Sequence, residues 1–103
     1  MSEKPLKGCY FQTAHGRVSF EIDANSDLLF KLADVLSSQF GFEAVGAPLD
    51  GVDVIYWDFS CEGSKLTLGW DIWSGCFIFG NTQEDDEIVR SIGHYLEAVL
   101  HEL

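Results

Sequence analysis

The run 52-VDVIYWDFSCEGSKLTLGWDIWSGCFIFG-80 decides the fold. Within it, Ile55, Trp57, Phe59 and Cys61 alternate with Val54, Tyr56, Asp58 and Ser60. A period of two sends successive side chains to opposite faces of a strand. Gly63-Ser64 follows as a hairpin turn. Beyond it, Leu66, Leu68, Trp70 and Ile72 share one face, and Lys65, Thr67, Gly69, Asp71 and Trp73 share the other. Ser74-Gly75 supplies the next turn, and 76-CFIFG-80 reads as a short closing strand. Turns this short join antiparallel neighbours, so the run predicts a three-strand antiparallel meander.

Upstream, 8-GCYFQTA-14 and 17-RVSFEID-23 read as a hairpin turned by His15-Gly16, with Val18, Phe20 and Ile22 on its buried face. The period then changes. Leu29, Leu32, Ala33, Leu36 and Phe40 form a helical stripe flanked by Leu28 and Val35, with Asn25 or Ser26 as N-cap and Gly41 as the stop. Residues 42–51 read as a short extended piece followed by a turn or loop, broken by Pro48 and Asp50-Gly51. Residues 82–103 predict a second helix with the stripe Ile88, Ile92, Tyr95, Leu96, Val99 and Leu103. Thr82 and Asp85 stand at capping-box spacing, and acids at 84–87 suit the positive end of a helix dipole. Gly93 costs about 1 kcal/mol against alanine in a helix interior, which points to close packing on the sheet.

The order β-β-α-β-β-β-α, with weak strand character just after the first helix, predicts one α+β domain over 1–103 with a loose start at 1–7. It comprises a mainly antiparallel sheet of about five strands with both helices on one face. The helices are expected to cover Val18, Phe20, Ile22, Ile55, Trp57, Phe59, Leu66, Leu68, Trp70 and Ile72. Tyr56, Asp58, Asp71 and Trp73 then lie on the open face, joined by Glu21 and Asp23 if the first hairpin enters the same sheet.

The chain has 103 residues, enough for one respectable core, and 47% of them are hydrophobic, too many for a disordered chain. Seventeen acids against six bases give a net charge of −11. The imbalance is concentrated: residues 1–49 carry net −2 and residues 50–103 net −9. Such a field repels phosphate backbones and anionic lipid, so no direct nucleic-acid or membrane partner is expected, whereas a basic protein would be steered in. The start MSEKPLKGCYF lacks the apolar core of a secretory leader, and no apolar run is long enough to span a bilayer. Cys9, Cys61 and Cys76 are odd in number and widely spaced. A reducing, cytoplasmic setting is therefore expected.

Chemistry finds little purchase. The cysteines and histidines show no metal-ligand spacing, and His94 and His101 stand about 10 Å apart along a helix. No metal and no cofactor are expected. Cys76 lies in the acidic half of the chain, which disfavours a thiolate, so it reads as a packing residue. Asp58 and Asp71 could act as paired carboxylates, but such chemistry needs one of them in an apolar pocket. They read as solvated acids, and no enzyme activity is expected. Acidity could also serve solubility alone, and Tyr56 and Trp73 could pack on a loop such as 42–51.

A small, very acidic domain with an aromatic–acidic face and no catalytic set resembles the bacterial immunity proteins of contact-dependent growth inhibition and other polymorphic-toxin systems. The stretch 66-LTLGWDIWSGCFI-78 looks like a pattern in small bacterial proteins of unassigned function. The resemblance implies a cytoplasmic inhibitor that occludes the active site of a basic toxin domain, a nuclease for choice. The expected contact residues are Tyr56, Asp58, Asp71 and Trp73 on the sheet, with Glu84, Asp85, Asp86 and Glu87 at the second helix. The alternative is a homodimeric adaptor or regulatory domain that self-associates through the same face.

Overall fold

A computed structural model describes residues 7–103. The expected loose start lies outside the described residues except for Lys7, which is exposed and belongs to no strand. The elements are β1 (Gly8–Gln12), β2 (Val18–Ile22), α1 (Asp27–Phe40), β3 (Glu43–Ala44), β4 (Leu49–Asp50), β5 (Val54–Cys61), β6 (Ser64–Asp71), β7 (Gly75–Gly80) and α2 (Gln83–Val99). A 3-10 turn, Leu100–Glu102, follows α2. The α+β class and the two helices agree with the sequence reading.

Among the described residues the strands number seven rather than about five. The difference is β3 and β4, two-residue strands in the segment expected to be a short extended piece and a loop. They pair in turn along β5: Glu43 faces Ser60, and Leu49 faces Tyr56. Two residues carry no readable periodicity, and an edge of β5 accepts backbone partners whatever their side chains. The sheet order is β1-β2-β7-β6-β5-β3, antiparallel at every pairing. The last strand in sequence, β7, therefore sits inside the sheet with β2 and β6 as neighbours.

The first hairpin is shorter than its alternation suggested. Thr13 N–H donates to Arg17 O at 2.8 Å, Gly16 N–H donates to Thr13 O at 2.9 Å, and Arg17 N–H donates to Thr13 Oγ1 at 3.0 Å. These bonds make residues 13–17 a wider turn, with Gly16 at φ +82°. Helix α1 starts at Asp27, whose N–H is taken by Asn25 Oδ1 at 3.0 Å. It stops at Gly41, φ +72°, a conformation glycine adopts without strain. The N–H of Phe42, itself buried, then closes the helix end on Leu36 O at 2.9 Å.

Both helices lie on one face, over Phe20, Ile22, Ile55, Phe59, Leu66, Leu68, Cys76 and Ile78. Val18, Trp57 and Trp70 are partly buried at the margin of this core. Ile72 is a correction: it is 59% exposed, because β6 ends at Asp71 and Ile72 falls in the turn. The buried apolar stripe of α2 is Val89, Ile92, Gly93 and Leu96, continued by Leu100 in the turn that follows, with Ile88, Tyr95, Val99 and Leu103 only partly covered. Gly93 does mark a close approach. A methyl group there would lie 2.4 Å from Tyr10 Oη and 2.8 Å from the Phe20 ring.

Two acids hold α2 in place. Asp85 and Thr82 form the reciprocal capping box, Thr82 N–H donating to Asp85 Oδ2 at 3.2 Å and Asp85 N–H to Thr82 Oγ1 at 3.3 Å. Asp86 reaches the sheet, accepting from Val18 N–H at 3.1 Å and pairing with Arg17 at 3.6 Å. Both aspartates are buried. Removing one partner of such a contact leaves a buried donor unsatisfied. Asp86→Ala should therefore lower the free energy of urea unfolding by about 2 kcal/mol. Glu87→Ala, on the exposed neighbour, should change it by less than about 0.5 kcal/mol.

Candidate protein-docking face

With both helices on one side, no helix among the described residues covers the other side of the sheet. The register assigns its rows. Across the strands, Cys9, Glu21, Phe77, Gly69, Tyr56 and Leu49 follow one another from β1 to β4. The adjacent row is Phe11, Ser19, Phe79, Thr67 and Asp58.

Gly69 shapes the centre of this face. A Cβ there would fall 2.4 Å from the Phe77 ring, so the ring lies across the gap that glycine leaves. Phe77 thereby reaches Tyr56 on β5 at 5.8 Å between centroids and stacks with Phe79 at 5.9 Å and 20°. The result is a three-ring ladder along the face, buried at Phe77 and open at Tyr56. Exposed Phe11, Val45 and Leu49 extend its apolar surface.

Carboxylates border the rings. Asp58 accepts from Thr67 Oγ1 at 2.9 Å with one oxygen. Glu21 is half-buried beside Ser19, whose hydroxyl donates to it at 3.4 Å. Burial pushes the Glu21 carboxyl above its usual range, the Ser19 bond opposes that rise, and the nearby charge of Asp71 adds to it.

The eight residues singled out from sequence divide into three groups. Tyr56, Asp58 and Asp71 do share the open face. Tyr56 borders Val45, Gly46, Ala47 and Leu49 yet stays 43% exposed, so the loop reading holds for its edge only. Trp73 is 83% exposed in the β6–β7 turn and packs on no loop. Asp71 also has a structural task, since its Oδ1 accepts the N–H groups of Trp73 and Ser74 and shapes the turn.

The acidic run belongs elsewhere. Asp71 faces Gly75 at one end of β7, whereas Glu84–Glu87 follow Gly80 at the other, some five residues and about 17 Å away at strand rise. Within the run, Asp85 and Asp86 are buried in the cap and the sheet contact, a correction to their reading as free contact acids. Only Glu84 and Glu87 are exposed. Phe77 and Phe79 were not placed on this face from sequence, because every residue of 76–79 is apolar and alternation is invisible there. The usable signal was Gly69 amid large residues, since a glycine inside a strand often marks a close approach.

Elsewhere, no group of three or more metal-ligating side chains occurs among the described residues. No helix among them is long and apolar enough to cross a membrane. The chain matches no protein-family model, no curated protein sequence and no solved structure.

Cys76 lies on the core side, buried, its Sγ 3.6 Å from Asn25 O. Burial pushes its thiol from 9.0 up to about 12. It should resist a thiol reagent at neutral pH in the folded protein, while exposed Cys9 is labelled quickly. Because the folded value is raised, its contribution to stability is fully present below pH 9.0 and is lost as pH rises toward about 12. Chemical denaturation across that interval should show a shallower alkaline loss for Cys76→Ala than for the native chain.

Proposed function

We propose that this chain is a binding protein that neutralises a basic protein partner by docking it on the open sheet face. In its more specific form, the partner is a toxin domain, such as a nuclease, whose phosphate-binding cleft is occluded by carboxylates. The chain is then an immunity protein of the cytoplasm. The observation that carries this reading is the Phe79–Phe77–Tyr56 ladder lying between Glu21, Asp58 and Asp71 on a face that no helix among the described residues covers. Rings on rigid strands make anchors with little entropy to lose, and a rim of carboxylates selects Lys and Arg.

Two features favour a cationic partner over a second copy on this face. Each copy carries −11, so stacking two such faces would oppose like charges. Glu21, half-buried and next to Asp71, would be relieved by an incoming guanidinium or ammonium group. Trp73 stands at the end of the face as an exposed ring beside Asp71.

The experiment is co-production with the protein encoded immediately upstream, followed by growth rescue and affinity measurement on the purified pair. Tyr56→Ala combined with Asp58→Lys should weaken binding by about 100-fold and abolish rescue, with the unfolding transition of the free chain retained. Unchanged affinity and unchanged salt dependence in that variant would remove this face from the interface.

A further inference from the structure

Strand β1 is the end of the sheet: its partner is β2, and no other strand among the described residues pairs with it. The bond from Thr13 N–H to Arg17 O joins directly opposite residues, so this is a hydrogen-bonded pair of the ladder. Antiparallel ladders alternate, which makes Phe11:Ser19 and Cys9:Glu21 the next bonded pairs. The N–H and C=O groups of Gly8, Tyr10 and Gln12 consequently point away from the sheet.

Edges of this kind are ordinarily blunted by Lys, Pro or a bulge. The β1 sequence GCYFQ has no charge and no proline, and its five residues pair with β2 in unbroken register. Tyr10 and Phe11 are 44% and 53% exposed on it. The three outward-pointing residues are symmetric about Tyr10. A copy rotated by a two-fold axis beside Tyr10 would match Gly8 with Gln12, Tyr10 with Tyr10 and Gln12 with Gly8.

Helix α2 is symmetric about the same point. It passes Tyr10 at Gly93, and Tyr10 Oη donates to Arg90 O at 3.1 Å. It starts near Val18, held there by Asp86, and so runs antiparallel to β1. Its exposed residues beside the edge are Arg90, His94 and Glu97, one turn apart along the helix. The two-fold axis would set Arg90 of each copy across from Glu97 of the other. The cleft lined by Tyr10, Phe11, Gln12, Val18, Arg90 and His94 would then merge with its twin. Opposite charges thus meet at the seam of a chain whose net charge would otherwise drive copies apart.

We infer that β1 pairs with β1 of a second copy, in antiparallel register centred on Tyr10, to join two sheets into one. This interface runs along the backbone edge of β1, sharing only Cys9 and Phe11 with the open face, and does not depend on the identity of the partner bound there. The pairing has a covalent signature. Residues 9 and 11 of opposite copies form a non-bonded pair, with Cα atoms about 4.5 Å apart, within disulfide reach.

The test is sedimentation of the full chain from roughly 1 μM to roughly 1 mM, together with oxidation of a cysteine variant. The native chain should pass from monomer to dimer in that range. Gln12→Pro removes an outward N–H at an edge site that tolerates proline, and should weaken the dimer by about tenfold or more. Phe11→Cys should give a disulfide-linked dimer through Cys9, and Cys9→Ser in that background should abolish it. A monomer throughout the range overturns the inference. So does a dimer that ignores Gln12→Pro or fails to cross-link in Phe11→Cys.

Discussion

The structure depends on the insertion of β7 between β2 and β6. That one placement joins the N-terminal hairpin to the meander, and both ends of β7 are built for it. At Gly75, φ +77°, a side chain would collide with Ile22 O at 2.3 Å and Ala24 N at 2.9 Å. The chain leaving β2 therefore runs directly against the β6–β7 turn. Trp70 Nε1 donates to Ala24 O at 3.0 Å there, and Cys76 Sγ approaches Asn25 O. At Gly80 a side chain would strike Asp85 Cβ at 2.4 Å, so the cap of α2 is seated on the end of the strand. The start of α1 is anchored at one end of β7 and the start of α2 at the other.

Both helices pack on the same face, and no helix among the described residues covers the other. A bare face on a central strand must be either polar or dry, and β7 presents Phe77 and Phe79. The rings solve part of the problem among themselves, by stacking with each other and by lying over Gly69. They do not solve it at Tyr56, Val45, Leu49 or Phe11, which remain open to solvent. An apolar band of this kind beside carboxylates is costly to keep in water. That cost is what the proposed partner would relieve.

Much of this architecture was legible from periodicity. The meander of β5, β6 and β7 followed from two alternating runs and two short turns, and α1 from its stripe and Gly41. What escaped reading has specific causes. Strands β3 and β4 are too short to alternate. The central position of β7 is a non-local pairing, which no local pattern encodes. Ile72 continues the alternation of β6 by residue type, but Asp71 ends the strand by capping the turn through its side chain. The open face was identified through Tyr56, Asp58 and Asp71, while its ring ladder was hidden in a stretch where every residue is apolar.

The carboxylates with hydrogen-bond partners differ in what they bond. Asp71, Asp85 and Asp86 serve the fold, each accepting backbone N–H groups at a turn, a helix cap or a strand. Carboxylates are well suited to this, because charged acceptors make the stronger hydrogen bonds and suit helix N-termini. Glu21 and Asp58 stand differently. Their own partners are hydroxyls of Ser19 and Thr67 on the same open face, neutral donors that orient a carboxylate without cancelling its charge. In the proposed complex, these two carboxylates would already stand oriented beside the exposed rings for an incoming Lys or Arg.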